Sequence, residues 1–144
     1  YHHPCTWFVA GFIGSPAMNF IPCRLEQTGS GLRARVTDTI ALPVPANREA
    51  RYRSVVGKEL TLGLRPEHIT EPRHNGRADG RDFEVTLDVV EPMGMETMVF
   101  FTINGTEICS RVEPSSAGDA GAKMSLNANV DHMHLIDPAT GAVI

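Results

Sequence analysis

The 144-residue chain is poor in aromatics, at 6% with one Trp and two Tyr, and its net charge is −4. Few aromatic faces leave little for base stacking, and the acidic balance argues against a general nucleic-acid binder. Cysteine is scarce too. Cys5, Cys23 and Cys109 form an odd, scattered set, which fits a reducing compartment better than a disulfide framework. No apolar run is long enough to span a membrane. Pro4, Gly11, Gly14, Pro16 and Pro22 interrupt the uncharged stretch 1–23 well short of the roughly 20 apolar residues that a span requires. No basic region precedes that stretch, so it does not read as a signal peptide. Nucleotide-binding glycine motifs are missing as well: Gly57-Lys58 is followed by Glu59 and lacks the upstream glycine of a phosphate loop.

What is present is ordinary globular material, 42% hydrophobic and 21% charged, enough for one compact domain or two small lobes. Its 13 Gly and 10 Pro favour many short strands and turns. Charge is unevenly placed. Residues 24–81 hold 11 Lys and Arg against 7 Asp and Glu, whereas residues 82–144 hold 2 against 10. Such asymmetry suits attraction between lobes or subunits, or simply two differently solvated faces.

The residue pattern predicts one helix followed by strands. TWFVAGFI (6–13) reads as a short buried helix between Pro4 and Gly14. After Asn19 the period changes to two. Ile21, Cys23 and Leu25 share one face, Thr28-Gly29-Ser30-Gly31 turns the chain, and Leu32, Ala34 and Val36 return it as a hairpin. A strand over 39–42 ends at Pro43, a polar Arg-rich loop runs through Arg53, and Leu60, Leu62 and Leu64 form the next strand, closed by Arg65-Pro66. Residues 71–82 lack an apolar period and mark the internal boundary. Phe83, Val85, Leu87 and Val89 then alternate as one strand, and Asn104-Gly105 between two β-like runs signals a tight hairpin. MSLNANV and HMHLI supply two further strands. Eight or nine short strands with regular turns indicate an all-β fold, a barrel or sandwich.

Candidate chemistry is thin. His2-His3-Pro4-Cys5 has ligand-type residues without the second half of a zinc site. His132 and His134 would point to one face if both lay on a strand, and so share a metal; an exposed polar face is the plainer reading. Cys109 sits in an alternating run, where a buried free thiol is expected. Glu91 and Glu96 bracket a loop without a defined substrate cleft. Arg33, Arg35, Arg48, Arg51 and Arg53 form either an anion patch or solvated hairpin and loop positions.

Three stretches go beyond composition. FVAGFIGSPAMNF (8–20) resembles the segment leaving the nucleotide-binding domain of carbohydrate-type ABC-importer ATPases. LGLRPEHI (62–69) is similar to the strand-and-turn signature of their C-terminal region, and VVEPMGMET (89–97) to the family's Val-Glu-x-x-Gly-x-Glu stretch. HLIDPATGAVI also resembles the way such chains end, so the likeness covers nearly the whole sequence. The bulky Cys5-Thr6-Trp7 is a small departure.

The resemblance implies an OB-like (TOBE) β-barrel region of two small lobes: 1–18 as the end of an upstream ATPase domain, 19–75 as the first lobe and 76–144 as the second. The chain, starting at Tyr1 in an apolar segment, is expected to be a piece of a longer protein. The implied function is a non-catalytic regulatory and dimerisation domain of the ATP-binding subunit of a maltose- or glycerol-3-phosphate-type importer. It would have no cofactor of its own, with ATP and Mg²⁺ held by the ATPase domain. Implied partners are a second copy of the subunit, the permease subunits and a regulatory protein, but no nucleic acid. The implied location is cytoplasmic, peripheral at the inner face of the membrane. Structural or interface candidates are Arg65, Pro66, Glu67 and His68, with Pro66 stopping a strand and Glu67 pairing with a cation or capping the turn. Glu91, Gly94 and Glu96 complete the set, with Gly94 supplying a backbone angle other residues resist. The alternatives are a small barrel that senses an oxyanion or sugar, motivated by the basic stretch 24–81, and a metal enzyme built on His132 and His134.

Overall fold

The computed structural model describes residues 18–72 and 81–144. The helix expected over 6–13 and the candidate ligands His2, His3 and Cys5 lie outside the described residues.

From Asn19 onward, the period-2 pattern produces strands. In β1 (Asn19–Thr28), Asn19, Ile21, Cys23 and Leu25 are buried, with Phe20, Pro22 and Arg24 exposed between them. It turns through Gly29-Ser30 into β2 (Gly31–Arg35), pairing Leu25 with Ala34. Gly31 lies at φ +126, and a Cβ there would sit 2.5 Å from the Glu49 carboxylate, which accepts the Leu32 N–H at 2.8 Å. Only glycine allows that approach. β3 (Ala41–Pro43) sits at the sheet edge, where proline's missing N–H costs no ladder bond.

The loop expected over 46–53 is helical instead. Two 3₁₀ turns (Ala46–Arg48 and Arg53–Val55) flank one α-turn, α1 (Glu49–Tyr52). Its single core residue, Tyr52, is fully buried, and one apolar anchor in ten residues leaves no period to read.

β4 (Glu59–Leu64) carries the three expected leucines, all buried. It is followed by a 3₁₀ turn (Pro66–His68) and the two-residue β5 (Ile69–Thr70). The run 83–89 proves to be two strands. β6 (Asp82–Thr86) and β7 (Val89–Pro92) lie in different sheets, because the Leu87 N–H goes to Ala122 and the Asp88 N–H to Phe100. Alternation records facing and not the neighbouring strand, so it continued across the break. β8 (Thr97–Ile103) and β9 (Thr106–Val112) form the Asn-Gly hairpin, with Asn104 at φ 50 and Gly105 at φ 77, as both central residues of such a turn require. β10 (Lys123–Ala128) and β11 (His134–Ile136) complete the described strands.

The fold is nearly all-β, as expected. A five-stranded sheet runs β11-β4-β1-β2-β3, and two three-stranded sheets run β5-β10-β6 and β7-β8-β9. Pairing crosses the middle of the sequence in both directions: β11 returns to β4, while β5 joins β10. Ile21, Leu62 and Leu135 therefore form one buried rung across three strands, two of them from opposite ends of the described chain. A continuous core extends from Ile21 to Leu135. A second small cluster joins Phe100 and Cys109 with Val89 and Met98. Cys109, expected as a free thiol, is buried but disulfide-bonded.

The side chain of Asn19 ties β1 to β9. Its Nδ2 donates to the Cys109 carbonyl at 2.8 Å, and its Oδ1 accepts the Cys109 N–H at 2.9 Å. An amide thus stands in for a missing strand neighbour, satisfying both main-chain groups of a fully buried residue. Asn19→Ala leaves that pair unmet and is expected to destabilise the fold by roughly 2–4 kcal/mol, measured by denaturant unfolding. A loss within 0.5 kcal/mol, the range of ordinary surface changes, would contradict this assignment.

Candidate functional site

The sequence candidates fall at two places, both in contact with β9. Arg65-Pro66-Glu67-His68 forms the connection from β4 to β5, with Pro66 buried at the start of the 3₁₀ turn. β9 packs against this turn, and the buried Ser110 hydroxyl on β9 donates to the Ile69 carbonyl just beyond it. The expected cap by Glu67 is not made: no side chain caps the turn, and Glu67 Oε1 is buried without a hydrogen-bond partner. His68 Nδ1 and Asn129 Oδ1 are likewise buried and unpartnered, although the Asn129 N–H donates to the His68 carbonyl at 2.8 Å.

Glu91, Gly94 and Glu96 occupy the other end of β9's neighbourhood, the β7–β8 turn. Glu91 lies in β7 opposite Met98. Glu96 reaches Arg111 on β9 at 3.2 Å. Gly94 has φ +88 with nothing within 4 Å of a Cβ built there, so its requirement is conformational and not steric. The Met93 N–H closes the turn on the Glu96 carbonyl at 2.8 Å. This presents Met95 at 97% exposure and Met93 at 45%, an apolar tip that sequence reasoning did not single out.

The remaining candidates resolve differently. His132 and His134 do not share a strand: His132 ends a 3₁₀ turn (Val130–His132), and only His134 belongs to β11. The His132 ring instead stacks on His68, centroids 4.0 Å apart and planes 4° from parallel. Among the described residues, no group of three or more His, Cys, Asp or Glu could hold a metal ion.

Two of the candidate arginines, Arg35 and Arg48, are engaged by other partners. Arg35 pairs with Glu26 at 2.8 Å, and Arg24 with Glu59 at 3.4 Å. The Arg48 guanidinium donates to the carbonyls of Met133 and, at 2.6 Å, Asp131, pinning the segment before β11. Arg81 meets the Asp131 carboxylate at 3.3 Å. The Arg81–Asp131 pair joins the basic and acidic stretches of the sequence. The contacts of Arg48, Asn129 and His132 carried no sequence signal, because each partner is distant in the chain.

An open groove of about 750 Å³ crosses β1 and β4, lined by Arg24, Arg35, Thr39, Leu60, Asn104 and Pro138 among others. Cys23 also lines it, but burial pushes this free thiol up to about 12, which makes it a poor nucleophile at neutral pH.

Residues 62–136 match the family model described as the TOBE domain, and residues 14–69 match the MalK OB fold domain. The chain belongs to the TOBE domain family. Among relatives, this TOBE chain is 32% identical over 142 residues to the sulfoquinovosyl glycerol transport ATP-binding protein SmoE of Agrobacterium fabrum, covering 97% of the chain and 37% of SmoE. It is 35% identical over 144 residues to the sn-glycerol-3-phosphate import ATP-binding protein UgpC of Chromohalobacter salexigens, covering 99% of the chain and 36% of UgpC. The TOBE chain therefore spans little more than a third of the length of these relatives. A solved structure of the cytoplasmic molybdate-binding protein ModG superposes with a TM-score of 0.58 at 17% identity, covering 88% of this chain and 99% of ModG, a likeness of fold alone.

The backbone role of Gly94 is directly testable. Gly94→Val places a β-branched side chain at φ +88 and is expected to cost about 1–2 kcal/mol in equilibrium unfolding, with Gly94→Asn costing less. Equal stability of the Val variant would show that the turn readily adopts another conformation.

Proposed function

We propose that the chain is the non-catalytic regulatory segment of the ATP-binding subunit of an ABC importer for a sugar or a sugar phosphate. The observation that carries this reading is the extent of the likeness. Nearly all of the chain aligns with barely more than a third of two ATP-binding proteins whose names specify such cargo. In this reading nucleotide chemistry belongs to the remaining two thirds, where ATP and Mg²⁺ are held, and this segment binds neither. Its role is to hold two copies of the subunit together while the catalytic portions open and close, and to offer a surface to a regulatory protein. The subunit acts from the cytoplasmic face against the permease subunits. Among the described residues no helix is long and apolar enough to cross the membrane itself.

The test has two arms. Calorimetry with Mg-ATP is expected to show no binding by the 144-residue chain, and micromolar affinity would overturn the non-catalytic assignment. Sedimentation equilibrium is expected to show weak, concentration-dependent self-association, since a contact of less than about 1,200 Å² belongs to the transient class. A strictly monomeric chain at the highest soluble concentration would remove the dimerisation role and leave the regulatory one.

The groove of about 750 Å³ favours a second reading, a small barrel that senses an oxyanion or a sugar. The likeness to a molybdate-binding protein lends it support at the level of fold. Thermal unfolding with molybdate, phosphorylated sugars and neutral sugars separates the two. A ligand at 100 times its dissociation constant stabilises the fold by about 2.7 kcal/mol, and no shift with any of them would exclude the sensing barrel.

A further inference from the structure

His68 ends the turn that leaves β4, and His132 ends the turn that leads through Met133 to β11. Their stack therefore fastens together two connections that serve the same pair of strands. β11 needs such fastening. It is three residues long and outermost in its sheet among the described residues, and beyond it the chain end adds the isolated bridge from Ile136 to Val143 and the Ile144 N–H bond to the Leu135 carbonyl at 2.9 Å. Short edge strands are the first to open locally. Arg48 holds the carbonyls of Asp131 and Met133 on the other side of the same turn.

We propose that the His68–His132 stack is a proton-sensitive latch on β11, closed while both rings are neutral and opened by protonation.

Two neutral imidazoles lying parallel at 4.0 Å attract through dispersion, whereas two imidazolium charges at that separation repel. The charged surroundings are mixed in sign. On the turns themselves lie Arg65, Glu67 and Asp131; Arg48 and Arg81 are bonded to the second turn, and Arg111, paired with Glu96, sits on the β9 strand packed against the first. Glu107 also lies on β9, and of the charges on the first turn Glu67 acts on His68 more strongly than Arg65. His68 Nδ1 is buried without an acceptor, so a proton placed there would have no partner.

Burial, followed by His132, holds His68 below the ordinary histidine value of 6.5; Glu67 pulls the other way, and Arg65 adds a smaller lowering. The sign follows. The folded ring binds its proton at lower pH than the unfolded one, so its contribution is complete above 6.5 and is lost as pH falls through and below that value. Each excluded proton changes the closed-to-open ratio by up to about tenfold per pH unit.

The experiment combines NMR titration of the histidine rings with amide exchange of His134–Ile136 in the 144-residue chain, referenced to β1 amides and corrected for intrinsic rates. The expected result is His68 titrating below 6.5, with β11 protection falling by up to about fivefold relative to β1 over the first pH unit below that point. His132→Phe keeps a flat ring without a charge. It should raise the His68 titration point and weaken the pH-dependent loss of β11 protection, leaving the part that burial of His68 supplies; His132→Gln serves if the Phe variant does not fold. Titration of His68 at or above 6.5 overturns the latch, and so does β11 protection that tracks β1 at all pH values. A pH dependence in the uncharged variant as steep as in the unmodified chain also overturns it. If neither variant folds, the titration and exchange of the unmodified chain decide between these outcomes.

Discussion

Strand β4 is the constraint on which the rest of the molecule depends. Both of its edges are occupied, by β1 on one side and by β11 on the other, so its backbone groups are met only when segments more than a hundred residues apart come together. Closing so long a loop has an entropic cost that grows only slowly with length, and burial of Ile21, Leu62 and Leu135 along one rung offsets it. An outermost strand drawn from the end of the sequence makes the sheet a product of the whole chain.

Around that sheet, polar side chains substitute for strands where the ladder ends. Asn19 does this on Cys109, Arg48 on the carbonyls of Asp131 and Met133, Ser110 on Ile69, and Asn104 on the Val36 carbonyl at 2.9 Å. Each joins elements far apart in sequence. Each also satisfies main-chain groups that would otherwise be left without a partner at a sheet boundary. β9 gathers two of these contacts and also touches the turn that holds Glu67 and His68. The two groups of candidate residues therefore share one supporting strand while remaining separate sites.

Several charged side chains are paired or bind backbone, burial raises the Cys23 thiol, and Glu67, His68 and Asn129 each bury a polar atom without a hydrogen-bond partner. What the surface offers is shape: a fixed turn carrying Met93 and Met95, an open groove, and a short edge strand tied by two stacked rings.

The alternation of 19–36 and 60–64, the glycines at turns and Asn104-Gly105 determined an all-β fold by themselves, since facing and turn angles are local properties. The backbone demand at Gly94 was legible for the same reason. Tertiary structure alone decided which strands are neighbours: that 83–89 divides between two sheets, that β11 returns to β4, and that Tyr52 anchors a helical turn inside a polar stretch. It also placed His132 against His68 rather than beside His134. Local periodicity reports which way a side chain points; it carries no information about the distant residue that will meet it.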